Sequence, residues 1–168
     1  MKVIVKRIIL FCMTYFCLLS PAAHSADFSK YKDTNQLVWD GKFETAVKKY
    51  FGSRKFDAFY PAGSLSAQIL DGLGGPPDQI KEFDKSIFIA SACRPHSCEE
   101  KAAVIFKKPS TILAFGVIHF NCKKEGCDSS PKLSIFSQKN ISIDVKNALE
   151  AWAFSVADRI PLELKIAH

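Results

Sequence analysis

Four cysteines in the second half of the chain, Cys93, Cys98, Cys122 and Cys127, fall into two pairs with the same short spacing. Oxidation of either pair would close a tight ring, and the first ring encloses Arg94, Pro95, His96 and Ser97. Pro95 fixes one backbone angle, which leaves His96 at the tip of a stiff, basic finger. A loop ordered in advance loses little conformational entropy on binding, so more of its contact energy appears as affinity. An imidazole set beside carboxylates takes up a proton and then donates from both ring nitrogens. Arg94 adds a permanent charge next to it. Such a finger suits a cleft lined by acidic groups. The plain alternative is a solvated histidine in a surface turn. A Cys–His nucleophile is the poorer reading, because both cysteines look like the two halves of a bridge.

The segment Ser91-Ala92-Cys93-Arg94-Pro95-His96-Ser97-Cys98, with the charged and then apolar run over 99–106, resembles the signature of the Ivy family. Members of that family are bacterial periplasmic inhibitors of vertebrate (c-type) lysozyme. They carry a Cys-Lys-Pro-His-Asp-Cys loop at the end of a strand, and its histidine enters the lysozyme cleft to meet the two catalytic carboxylates. By this resemblance Cys93 and Cys98 match the loop disulfide, Pro95 the rigid turn and His96 the active-site plug. Arg94 stands where the family usually has Lys, and Ser97 where it usually has Asp. Loss of that Asp removes an acceptor, which puts the bracing of the loop in question. The match covers residues 91–106 and is loose elsewhere, with only a general pattern shared over 39–68.

The start of the chain reads as an export signal. Lys2, Lys6 and Arg7 precede an apolar stretch over 8–19, and small residues surround Ala23-His24-Ser25-Ala26. This three-part pattern predicts a cleaved signal peptide over 1–25 and a mature domain over 26–168. The apolar stretch is too short for a spanning helix, which needs about 20 such residues. Removing the leader takes three of the 23 basic residues and none of the 17 acidic ones, so the formal charge falls from +6 to +3. No basic cluster interleaved with aromatic residues remains, and neither nucleic acid nor, after cleavage, a membrane is an expected partner. Export also places the thiols in an oxidising compartment. Of three pairings open to four cysteines, the local one is expected: Cys93 with Cys98 and Cys122 with Cys127. A crossed pairing stays open, and so does a structural zinc site.

The mature chain is expected to be a single α+β domain, a central antiparallel meander packed by an N-terminal and a C-terminal amphipathic helix. Phe43, Val47, Tyr50 and Phe51 recur at helical spacing over 41–51, with Gly52 just beyond. Phe56, Phe59 and Tyr60 are expected to seal one margin of the sheet, with Trp39 and Tyr60 as contact residues if exposed. The run Asp71-Gly72-Leu73-Gly74-Gly75-Pro76-Pro77-Asp78 predicts a mobile loop; without a Lys-Ser or Lys-Thr ending it is no phosphate cradle. Strands follow over 86–92, 101–107 and 111–120, nearly continuous in apolar residues as in sheets covered on both faces. His119, inside the last of these, is expected to be a core residue. Another strand covers 132–138. A helix starts at Ser142, carries Val145, Leu149, Trp152 and Val156 on one side, and is expected to run to Pro161. In a meander of this kind the loop over 121–127 lies beside the one over 93–98, and the two present one surface.

Paired carboxylates at catalytic spacing, a histidine cluster for a metal and a nucleophile elbow are all missing from the pattern. The resemblance implies a non-enzymatic inhibitor without cofactor or metal, directed at c-type lysozyme or at the bacterium's own lytic transglycosylases. Glycosidases of this kind hold acidic side chains around the scissile bond, and a cationic finger would pair with them. The family contains dimers, which leaves a homodimer open. Because c-type lysozymes are usually basic, a +3 chain would be repelled at long range, and local complementarity would have to carry the encounter. Two other classes remain: an immunity protein against a different cell-wall hydrolase such as an amidase, and a zinc or thiol protein built on the four cysteines.

Overall fold

The computed structural model describes residues 26–123, 126–156 and 161–166; the leader over 1–25 lies outside the described residues. After a 3-10 turn at Phe28–Lys30 come α1 (Thr34–Val38), α2 (Gly41–Phe51) and α3 (Leu65–Gly72). Strands β1 (Lys81–Asp84), β2 (Ile87–Arg94), β3 (Ser97–Lys107) and β4 (Thr111–His119) follow. Two short strands, β5 (Cys122–Lys123) and β6 (Gly126–Cys127), form a separate hairpin. The main sheet then resumes with β7 (Lys132–Ser137), α4 (Ile143–Phe154) and β8 (Leu162–Ile166). Its strand order is β1-β2-β3-β4-β7-β8, antiparallel throughout except that β8 runs parallel to β7. The expected α+β meander with helices at both ends of the domain is therefore present.

The apolar runs follow from helices covering both faces. Along β3, Ala102, Val104 and Phe106 point into one cluster with Leu37, Phe43, Val47, Phe51 and Ile69 of the N-terminal helices. Ala103 and Ile105, between them, point into a second cluster with Val145 and Leu149 of α4. Successive strand residues face opposite ways, so two apolar layers erase the polar alternation of a one-sided sheet.

Helix α2 forms as its spacing predicts and buries Phe43, Val47, Tyr50 and Phe51. The Asp40 side chain caps it by accepting from the Lys42 N–H at 2.9 Å, and Gly52, with φ +58°, ends it. Buried Tyr50 links the helix to the sheet: its hydroxyl donates to the Leu113 carbonyl (3.0 Å) and accepts from the Gln138 N–H (3.1 Å). Burial pushes this phenol up to about 12. An unfolded tyrosine ionises near 10, so between pH ~10 and ~12 the unfolded chain loses a proton that the folded one keeps. Stability is expected to fall across that window. The Tyr50→Phe protein should show a shallower fall when urea midpoints are compared along the same pH range.

Four features differ from the sequence expectation. The run from Asp71 opens inside α3, whose Ser64 cap bonds the Ala67 N–H. Gly72 is tolerated in the last turn because a Cβ there would come within 2.8 Å of Ala102 and Phe59, so its absence lets the helix rest on the sheet. The rest of that run is not a mobile connection. It is stitched along β2 by Gly75 N–H to Cys93 O (3.0 Å), Cys93 N–H to Pro76 O (3.0 Å) and Asp78 N–H to Ser91 O (2.9 Å). Strand β1 was not expected, since Lys81, Glu82, Phe83 and Asp84 lack strand periodicity; charges are what an exposed sheet edge needs. Finally, α4 stops at Phe154, where the Ser155 N–H bonds back to the Ala151 carbonyl, well before Pro161. The parallel β8 is a further addition, with α4 in its crossover. Among the described residues no helix is long and apolar enough to cross a membrane.

Candidate partner-binding loop

Both disulfides pair locally, Cys93 with Cys98 and Cys122 with Cys127, which leaves none of these cysteines as a thiolate for zinc. The first bridge closes a hairpin that continues β2 into β3. Cys93 stands opposite Lys101 but Arg94 stands opposite Ser97, so Cys98, Glu99 and Glu100 bulge out of β3. The bridge spans this bulge, with Cα atoms 4.6 Å apart. Bulges re-aim a strand end, and here the end that is re-aimed carries Pro95 and His96.

Pro95 and His96 are the two central residues of the turn. His96 has φ +65°, and a proline followed by a positive φ is the pattern of a type II turn, in which glycine is the usual second residue. A histidine held there is in a sparsely populated backbone region, of the sort that clusters at ligand clamps. Its side chain is exposed. Ser97 takes part through its backbone, paired with Arg94.

Arg94 is placed differently from the expectation of a free charge beside the histidine. Its Nε donates to Asp71 Oδ2 (3.1 Å), its Nη1 to Glu100 Oε2 (2.6 Å), and its guanidinium lies 5.0 Å from the centre of the Phe59 ring. Burial works against the charged form, but the hydrogen bonds and charges of Glu100 and Asp71 outweigh it and hold the guanidinium above its ordinary pKa. Arg94 thus braces the root of the finger, pinning the end of β2 to α3 and to the bulge. Arg94→Ala is expected to cost about 1–3 kcal/mol, because the Glu100 carboxylate, 12% exposed, loses its counter-charge. Adding Glu100→Gln should recover part of that loss in a denaturant titration.

The turn, with Ser97 beside His96, is braced from below. Gly75 and Pro76 make two backbone bonds to Cys93, and a Cβ on Gly75 would lie 2.5 Å from the Cys93 carbonyl oxygen and 2.9 Å from Pro95 N. Only glycine lets that strand of chain press so closely under the finger. No family model, curated protein or solved structure matches this chain. What the site can do follows from its own geometry.

The second disulfide hairpin leaves the same end of the sheet. Lys101 pairs with Cys93 on one side and with Ile118 on the other, so β4 ends level with the root of the finger and hands on to Cys122. Asn121 and Asp128 close its base through Asn121 Nδ2 to Asp128 Oδ2 (3.1 Å) and a backbone bond of 2.9 Å. Lys124 and Glu125 at its tip lie outside the described residues. His119 is buried as expected. Its Nε2 is 2.9 Å from Ser134 Oγ, but with the two residues 1% and 0% exposed no substrate can reach this serine–histidine pair. Trp39 is 78% exposed and Tyr60 is at the surface too, while Trp152 sits half-buried at the margin of the α4 core.

Glu100, Asp71, Phe59 and Gly75 are the residues that reading by sequence missed. Glu100 stands inside a charged run and Gly75 inside a glycine-proline run, so both carried signals with commoner meanings.

Proposed function

We propose that this chain is an exported, non-enzymatic inhibitor of a peptidoglycan-cleaving glycosidase, with c-type lysozyme as the first target and bacterial lytic transglycosylases as the second. The observation that carries the reading is the exposed His96, held at a positive φ on a two-residue tip whose root is locked by a disulfide and an arginine with two carboxylates. The finger is ordered before a partner arrives, so insertion into an acidic cleft costs little entropy. The imidazole then takes a proton and donates to the catalytic carboxylates, excluding the sugar chain. Exposed Glu99 and the carboxylates of Asp71 and Glu100 surround the root of the finger. Of these, Glu99 is exposed and stands outside the Arg94 pairs, placed to meet the basic rim of a lysozyme.

Two disulfides fit an oxidising environment, and the periplasm is the compartment this reading assigns. A cell-wall lysis assay with hen-type lysozyme tests it, with inhibition as the expected result. If lysozyme is untouched, the inhibitor reading gives way to immunity against another cell-wall hydrolase.

A further inference from the structure

A stable protein–protein interface buries about 1,200–2,000 Å² in total, far more than a two-residue tip can cover. A partner held by His96 must therefore also touch the surface around the finger. The loop over 56–63 lies across that end of the sheet. Phe56 meets His119, the last residue of β4, edge-on with ring centres 5.4 Å apart. Phe59 lies 5.0 Å from the guanidinium of Arg94, the last residue of β2. Two rings thus tie one loop to the ends of two strands, and Tyr60, directly after Phe59, is 37% exposed.

The loop is neither helix nor strand, yet its backbone is held. Buried Gln68 of α3 accepts at Oε1 from the N–H groups of Ala58 (3.0 Å), Phe59 (2.8 Å) and Tyr60 (3.4 Å), and its Nε2 donates to the Phe56 carbonyl. The Phe56 N–H donates to the Gly63 carbonyl (3.3 Å) and closes the base, while Asp57 Oδ1 accepts from the Ala62 N–H (2.6 Å). A Cβ on Gly63 would run into the Tyr60 ring and the Gln68 amide. One edge of the phenol ring is therefore set against bare backbone. Phe56 and Phe59 pack on the core of the N-terminal helices, whereas the ordered ring of Tyr60 stays open to solvent.

We propose that Tyr60 is a second anchor for the enzyme that receives His96, laid against the wall of the same cleft. This rests on the inhibitor reading and adds a named contact to it. Tyrosine is enriched among the residues that dominate binding energy, and a ring already held in place loses little freedom on contact. A cleft shaped for a sugar chain sets apolar faces beside hydrogen-bonding groups, and a phenol presents the same mixture.

Inhibition of hen-type lysozyme in the cell-wall lysis assay, run with wild type and Tyr60→Ala, tests the proposal. The substitution is expected to weaken inhibition roughly tenfold or more, as for an anchor residue, with the melting temperature nearly unchanged. Hydroxyl-radical footprinting of the unsubstituted protein, mapped by peptide mass, gives a second readout that decides the matter if Tyr60→Ala folds poorly: Tyr60 should be oxidised in the free protein and protected by saturating lysozyme. If the wild type inhibits while a folded Tyr60→Ala protein stays within about twofold of it, or Tyr60 gains no protection in the complex, the second anchor is overturned and the His96 reading stands. If the wild type leaves lysozyme untouched, that reading falls and the second anchor falls with it.

Discussion

Replacing His96 by alanine is expected to weaken inhibition of lysozyme by well over tenfold while leaving the melting temperature nearly unchanged. Each tenfold step corresponds to about 1.4 kcal/mol, and loss of a central anchor residue commonly costs about 2 kcal/mol or more. Nothing in the fold rests on the imidazole, since the side chain is exposed and the finger is held from its root. Alanine and histidine share the penalty of a left-handed backbone, so one replaces the other without added strain. Glycine separates the two properties of residue 96. His96→Gly relieves the φ of +65° and should raise stability by up to about 1 kcal/mol, yet it should inhibit no better than alanine. A His96→Gly protein that inhibits like the wild type would show that the loop shape suffices, and the imidazole mechanism would fall.

Gly75→Ala is expected to be the most damaging single methyl group in the region, at about 3 kcal/mol in a denaturant titration. The added carbon would meet the backbone of Cys93, Arg94 and Pro95 at 2.5–2.9 Å, and since all three atoms are backbone no flexible side-chain end can give way. Overpacking of this kind costs about 1–3 kcal/mol, and here relief also requires loosening the Gly75–Cys93 and Cys93–Pro76 hydrogen bonds. Because those bonds support the finger, inhibition should weaken along with stability. Gly41→Ala is the matched control, since a Cβ there meets nothing within 4 Å. A Gly75→Ala protein as stable as the control would mean that the chain beneath the finger is free to move aside.

What could be read in the residues was whatever depends on neighbours in sequence. Phe43, Val47, Tyr50 and Phe51 announce α2 because helical spacing is a local property. The strands announce themselves as apolar runs, and the finger by two cysteines and a proline. What escaped depends on partners far along the chain. Arg94 looks like a free cation until Asp71, twenty-three positions earlier, folds up beside it. Gly75 looks like a flexible joint until β2 arrives alongside, when the same lack of a side chain becomes a requirement for close packing. Leu65, Ile69 and Leu73 lie at helical spacing, but the glycines and prolines after them speak more loudly for a loop. Similarly, α4 ends by bonding Ser155 to its own last turn, and no residue type marks that stop as clearly as Pro161 suggests a later one.

The finger continues β2 and β3 past the disulfide-spanned bulge, and both strands run through the buried middle of the domain. It has no hinge of its own, and force applied at the tip passes along two covalent rails into the sheet. An enzyme that closes on His96 must therefore grip the whole domain as one rigid body. Under the proposed inhibition the molecule would act as a wedge with a solid handle, and the yielding would fall to the partner.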